Sequence, residues 1–390
     1  MDLNLCVNCK AVQLLCKQPR CPLIDALDLI PDITHKNLGK EIFGPTKQIF
    51  IGSTGYPSVY SGPLTSIDPD AENTQHSFNP STWVDLSLHE IIDLRYGLIR
   101  GKQSIHVKDN PISTQERIKE KLGEITLSTN TVEIEGYYKS KLQFNSKFDS
   151  EIQPMGPSGF LNKFELTSNP KIPKKVDSII HDELKSNHQI NELYSSKYDV
   201  YYLQGILSAG LTGLAEKSKI VPTRWSITAV DDMIGKDLIQ KLKNFPIIND
   251  IEVKQGNLLG NYYTICLFPG QWCFENIESW IPGNIFSLTA EQANISIERE
   301  GFKLSESWKG RSSYSTQAGG YYASRFAILE YLHTLRKQAK VLIIREISPE
   351  YRVPVGVWQV REGIKISLNK TSTKFNTKSE LINWLSNKLF

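Results

Sequence analysis

Four of the six cysteines stand within the first 21 residues, at Cys6, Cys9, Cys16 and Cys21, spaced C-x2-C-x6-C-x4-C. Two thiolates two residues apart can grip one metal ion from a tight turn, and a second pair completes a tetrahedral S4 shell. Four sulfur ligands favour zinc, with an iron–sulfur centre as the rival. A redox C-x-x-C is disfavoured, because no βαβ pattern surrounds it. Lys10, Lys17 and Arg20 interleave the ligands and offset part of the charge of such a centre. Cys266 in YYTICLF and Cys273 in WCF lie in apolar runs and read as core residues rather than ligands.

The second group with chemical potential is a set of charges inside apolar text. Arg224, Ser226, Thr228, Asp231 and Asp232 sit in VPTRWSITAVDD, Arg345 and Glu346 in VLIIREI, and Gln359, Arg361 and Glu362 in GVWQVRE. A charge within a buried run must pair, contact a ligand or escape to a strand end. Two readings follow. In one, arginines and carboxylates form a structural network. In the other, Arg224, Arg345 and Arg361 grip DNA or another phosphate-bearing ligand, and Arg224, Asp231, Asp232, Glu346 or Glu362 acts on it. Either way, the charges of the three motifs are expected to converge in space. No P-loop, dinucleotide fingerprint, H-E-x-x-H or G-x-S-x-G is present, and the seven histidines are scattered singly.

The elements that would position these residues are mixed. GGYYASRFAILEYLHTLRKQA reads as an amphipathic helix closed by cations, feeding the buried strand VLIIREI. YYTICLF reads as a strand, Val355 to Val360 as another, Met233 to Leu242 as a helix, and Leu86 to Ile99 as a helix begun by Asp85 or Ser87. FIGSTGYPSVYSGPL suggests short strands joined by glycine turns. The absence of regular βαβα alternation argues α+β. A length of 390 residues suggests two or three domains, with 40% hydrophobic and 22% charged residues, as in globular proteins. A net charge of +3 argues nothing for nucleic acid in bulk, so any such binding must come from local patches. No run approaches the ~18 apolar residues of a membrane span. The N-terminal text lacks a secretory pattern, so a cytoplasmic location is expected.

The C-terminal segment is locally basic. Residues 363–377 are polar and lysine-rich, which predicts a flexible linker. SELINWLSNKLF then places Leu381, Trp384, Leu385 and Leu389 on one helical face, to dock either on its own core or on a partner.

Read together, these blocks resemble the Nre-type archaeal DNA repair proteins, the NreA group. LCVNCK…LLCKQPRCPL is similar to that family's four-cysteine finger, although Ala11 and Lys17 stand where the family tends to have glycine. IFGPTKQIFIGSTGYPSVYSGPL, RYGLIRGK, MGPSG, NPKIPKKV, LSAGLTGL, VPTRWSITAVDD, LFPGQWCFENIESW, GGYYASRFAILEYL and REISPEYRVPVGVWQVRE follow in the order of its other blocks. The resemblance implies a DNA-damage response factor that works with the replication sliding clamp and repair nucleases. The clamp contact in that family runs through a C-terminal peptide of the type Q-x-x-h-x-x-a-a. Lys378, Leu381, Trp384 and Leu385 occupy its anchor positions here, with Lys378 in place of glutamine and Leu385 in place of the second aromatic residue.

The reading that results is an α+β protein. It has a four-cysteine zinc knuckle and connector over 1–40, a mixed α/β core over 41–362, and a basic linker with a partner-binding helix over 363–390. The expected function is DNA repair, with zinc as cofactor and with DNA, the sliding clamp and a repair nuclease as partners. A nucleotide-using repair enzyme, by ADP-ribosyl-transfer-like or phosphodiester chemistry, and a non-catalytic zinc adaptor are the alternatives.

Overall fold

The computed structural model describes residues 5, 9, 15–18, 21–25, 39–67, 71–108, 114–142, 148–284, 287, 290–302 and 309–389. It contains both helices and strands without βαβα alternation, in keeping with the α+β expectation. By internal contacts the chain forms two compact units, Gln18–Ile234 and Met1–Lys17 with Gly235–Phe390. Both units draw on residues 41–362, and the division falls inside one helix.

The first unit is built on a closed barrel of five strands: β1 (Glu41–Ile51), β2 (Ser58–Ser66), β3 (Leu98–His106), β4 (Val132–Tyr138) and β5 (Ser158–Leu166). The order around the barrel is β1-β2-β3-β5-β4. β3 and β5 run parallel, and the other pairs, including the closing pair β1–β4, are antiparallel. β1 pairs with β4 through Glu41 to Thr46, and with β2 mainly through Gln48 to Ile51, with its register shifting between Thr46 and Gln48. Such an irregularity bends a strand, and the bend lets one strand close the sheet. At Gly62 a Cβ would run into the Gly101 carbonyl, so β2 and β3 approach more closely there than a side chain permits.

Alternation along the strands sends Ile49, Ile51, Val59, Ile99, Ile105, Val132 and Ile134 into the barrel core. Helices follow in chain order: α1 (Ala71–Ser77), α2 (Leu88–Tyr96), α3 (Thr114–Leu127), α4 (Lys174–His181), α5 (Ser186–Ser195), α6 (Val200–Ser208) and α7 (Thr223–Leu242). α3 lies between β3 and β4 in sequence and plugs the barrel with Leu122 and Ile125. α2 begins at a capping box. The Ser87 hydroxyl accepts from the Glu90 backbone N–H at 3.3 Å, and the Glu90 carboxylate accepts from the Ser87 N–H at 2.7 Å. Leu98 and Ile99, expected in that helix, belong to β3 instead. VPTRWSITAVDD, expected to precede a helix, is already helical from Thr223 onward.

The second unit is a six-stranded sheet of β6 (Ile251–Leu258), β7 (Asn261–Phe268), β8 (Cys273–Trp280), β9 (Asn294–Glu300), β10 (Lys340–Ile347) and β11 (Thr373–Phe375), in the order β11-β6-β7-β10-β8-β9. Only the β10–β8 pair in this sheet is parallel. Helices α8 (Ala318–Leu335) and α9 (Trp358–Leu368) pack together, with α9 against β6 and β7. At Gly363 of α9 a Cβ would lie 2.5 Å from the Tyr263 ring, so the helix sits directly on β7.

Two expectations for this unit are corrected. GVWQVRE is not a strand: Trp358 opens α9, and Trp358 to Ile364 are all buried, so the helix shows no polar stripe to betray its period. Residues 363–377 are not a loose linker. Gly363 to Leu368 complete α9, and Thr373 and Phe375 pair with Val253 and Ile251 as an edge strand. The final helix α10 (Lys378–Leu389) docks on the face of the sheet opposite α9. Leu381 is 1% exposed against Ile251, Val253 and Cys266, and the Trp384 ring meets Phe375 edge-on at 5.5 Å. Cys266 and Cys273 are buried, as expected.

Candidate functional site

Arg224, Asp231 and Arg345 each have a local partner. In the barrel unit, Arg224 Nε lies 2.5 Å from Glu151 Oε2, and Nη2 donates to Asp149 Oδ1 at 3.2 Å. The same Asp149 oxygen accepts from the N–H groups of Glu151 and Ile152. Arg224 thus fastens the β4–β5 loop to the start of α7. Asp231 is fully buried and accepts from Gln204 at 3.4 Å, while Asp232 is half-buried on the same helix.

The remaining candidates lie in the other unit. Arg345 donates to Glu278 at 2.7 Å and to Asn261 at 3.0 and 2.8 Å. Glu346 is half-buried, and burial raises its pKa. Arg361 and Glu362 are buried in α9, with the Arg361 guanidinium 5.8 Å from the Phe326 ring centre. Arg224 finds its partners within the barrel unit, and Arg345 finds its own within the second unit. Arg224 and Arg345 are each paired with a carboxylate that sequence reading did not single out, Glu151 and Glu278. Arg325 and Glu300, both fully buried and 2.6 Å apart, form a further pair that sequence reading missed.

Of the four N-terminal cysteines, Cys6 lies outside the described residues. Cys9 and Cys21 are buried, Cys16 is half-buried, and none of these three is in a disulfide. Among the described residues no three His, Cys, Asp or Glu side chains are placed to hold a metal ion. The three described cysteines are therefore no ligand set by themselves.

What the fold does assemble lies on the outside of the barrel. On β3 the inward positions are Ile99, Gly101, Gln103 and Ile105, so Arg100, Lys102 and Ser104 face outward. Tyr60 of β2 is 47% exposed and meets the Phe160 ring of β5 edge-on at 5.3 Å. Lys102 Nζ stands 4.5 Å from the centre of the Phe160 ring, and the Arg100 guanidinium 4.9 Å from that of Phe50. At one end of this strip Tyr56, in the β1–β2 turn, and Trp225, of α7, pair at 5.0 Å, both exposed. Neither Arg100 nor Lys102 has an ion pair with a described carboxylate. Burial lowers the pKa of both, and Arg100 further lowers that of Lys102. The exposed rings of Tyr60, Tyr56 and Trp225, beside cations without a described carboxylate partner, suit a ligand with flat rings and negative charge.

Beside the strip, β1, α6, the start of α7 and the β4–β5 loop enclose a cleft of about 330 Å³. Phe50 borders both. Strand order 1-2-3-5-4, with β3 and β5 parallel and a helix between β3 and β4, is that of the OB-fold, whose β2–β3 face and β1–β2 and β4–β5 loops hold oligonucleotides or oligosaccharides. Sequence reading missed this surface because its residues come from blocks that look like turns and short strands. The signal available was a single aromatic residue in each of SVYSG and SGFL and the basic residues of RYGLIRGK.

Comparison with known proteins supplies the family. The family described as "Archaeal Nre, N-terminal" matches residues 15–287, and that described as "Archaeal Nre, C-terminal" matches residues 306–390. The chain belongs to the archaeal Nre family. Among Nre relatives, the DNA repair protein NreA of Archaeoglobus fulgidus is 32% identical over 98% of this chain and 93% of its own length. The DNA repair protein NreA of Haloferax volcanii is 33% identical over 88% of this chain and 82% of its own. The DNA repair protein NreB of Archaeoglobus fulgidus is 29% identical over 97% and 92%. No solved structure matches this Nre chain. Among its described residues no helix is long and apolar enough to cross a membrane.

Proposed function

We propose that this Nre protein acts in archaeal DNA repair and engages single-stranded DNA along the outer face of its barrel. The observation that carries the reading is the strip of Tyr60, Phe160, Lys102 and Arg100, flanked by Tyr56 and Trp225. Exposed rings offer stacking platforms to unpaired bases, and the cations track the phosphates. The repair role itself rests on the names of relatives that align along most of the chain. Anisotropy of a labelled single-stranded oligonucleotide tests it. Tyr60→Ala is expected to weaken binding by about 1–3 kcal/mol, roughly five- to 150-fold in Kd. Equal affinity of the variant, or no binding by the native chain, rejects the reading.

Zinc held by Cys6, Cys9, Cys16 and Cys21 is a second part, supported by ligand type and spacing. Native mass spectrometry should find one zinc, lost in Cys9→Ser; unchanged content sinks it.

Association with a sliding clamp and a repair nuclease is drawn from the family resemblance. Lys378, Leu381, Trp384 and Leu385 are the clamp contacts it would use. Leu381 is buried by its own sheet, so a clamp pocket receiving that anchor has to undock α10. Trp384→Ala should abolish clamp binding; a clamp interaction that survives this change removes α10 from the contact.

A further inference from the structure

The cleft beside the strip has a chemistry of its own. Arg95 of α2 lines it and is 1% exposed, yet among the described residues no carboxylate pairs with it. Its Nε donates to the Pro154 carbonyl at 2.9 Å, and Nη1 donates to the Ser77 carbonyl at 2.9 Å and the Gln48 side-chain oxygen at 3.2 Å. Among the described residues Nη2 has no acceptor. Burial pushes the Arg95 pKa down to about 9, a sign that its charge is poorly compensated. Lys47 of β1 lines the same cleft, half-buried, and likewise makes no ion pair with a described carboxylate. Burial lowers its pKa, with Asp199 at the cleft edge acting in the opposite sense.

A buried cation without a counter-ion, such as Arg95, is costly, whereas the buried Arg325 and Arg345 are each paired with a carboxylate, Glu300 and Glu278. An anion from outside would supply the missing charge. The rest of the lining narrows its nature. Tyr198 and Tyr202 stand 5.6 Å apart on the α6 side, and Phe50 borders the cleft from β1. Gln153, which also lines the cleft, offers an amide for the edge of a polar ring. Volume is at the lower end of the range for small-molecule sites.

We propose that this cleft binds a single phosphorylated nucleotide, with the phosphate at Lys47 and Arg95 and the base against the tyrosine wall. Two sources share that chemistry: a free mononucleotide and the 5′-phosphorylated end of a DNA strand. The site does not require that the outer strip bind DNA.

Calorimetric titration of the full chain with thymidine 5′-monophosphate, thymidine and inorganic phosphate tests this. One equivalent of the nucleotide should bind, and thymidine should bind at least about tenfold more weakly, because charge-assisted contacts are lost. Lys47→Gln should weaken the nucleotide by about tenfold or more, and Tyr198→Ala should weaken it without restoring thymidine. Both side chains are partly solvated, so folding can be verified by an unchanged melting temperature. Lys102→Gln, on the outer strip, should leave nucleotide binding unchanged, which keeps this site's failure distinct from that of the strip. If a 5′-phosphorylated oligonucleotide displaces the nucleotide and its unphosphorylated counterpart does not, the strand end is the source. If neither does, the free nucleotide is. No binding of the nucleotide, equal binding of thymidine, or a Lys47→Gln chain that binds as the native one does overturns the proposal.

Discussion

Lys102 Nζ on β3 stands 4.5 Å above the ring of Phe160 on β5, although 58 positions separate them in sequence. The pair exists because β3 and β5 run parallel side by side, with Lys102 and Phe160 in register. A cation over a ring leaves the edges of the ring and the rest of the charge available, unlike a salt bridge, which neutralises it. If Lys102 contacts a phosphate, Lys102→Gln should flatten the dependence of log affinity on log salt by about one unit. An unchanged slope removes Lys102 from the interface.

Arg345 and Glu278 form a buried pair, and a structural role makes a specific prediction. Arg345→Met alone should destabilise the chain by about 3–5 kcal/mol, because it strands the Glu278 carboxylate. Adding Glu278→Leu should recover much of that loss in a urea unfolding cycle. Independent, additive losses would show that the two do not act as a pair.

The docked C-terminal helix predicts a contrast between neighbours. Leu381→Ala should cost about 2–5 kcal/mol, as for other buried leucines. Ile382, 59% exposed, should tolerate alanine with a change below about 0.5 kcal/mol. Equal melting temperatures for the two variants would place α10 off the sheet.

The capping box of α2 predicts a dependence on pH. The Ser87 hydroxyl and backbone N–H hold the Glu90 pKa below its ordinary value of 4.5. A carboxylate with a depressed folded pKa stabilises above its unfolded pKa, and that contribution is lost as pH falls through the folded value. Glu90→Ala should therefore be less stable than the native chain at pH 7 and closer to it at pH 3. A difference that is the same at both values would contradict this contribution.

Local pattern made part of this legible. The β10 text VLIIREI and the α8 text after Gly319 carried their periods openly, because one has alternating burial and the other a long apolar helix. GVWQVRE misled because α9 is buried on every side, so helix and strand leave the same trace. Ser367 illustrates why residues 363–377 looked like a linker. It is polar but fully buried, its hydroxyl donating to the Gly363 carbonyl at 2.7 Å, against the space left by Gly256. The barrel was illegible because its closure depends on a register shift in β1 and on the β3–β5 pairing, neither of which leaves a mark in periodicity. The outer strip was lost with it, since Tyr60, Lys102 and Phe160 meet only once the barrel closes. Arginines were correctly marked as needing partners, but Glu151 and Glu278 lie too far along the chain to be assigned to them from sequence.

The most direct measurement is photocrosslinking of the native chain to a single-stranded oligonucleotide carrying 5-iodouracil, followed by mass spectrometry of the adducted peptides. Stacked aromatic residues are the groups that capture such a base. Adducts are expected at Tyr60 and Phe160, with further ones at Tyr56 or Trp225, and they should disappear when an excess of unlabelled strand is added. Adducts confined to the unit of residues 235–390, with none on the barrel, would contradict the assignment of the DNA-binding face.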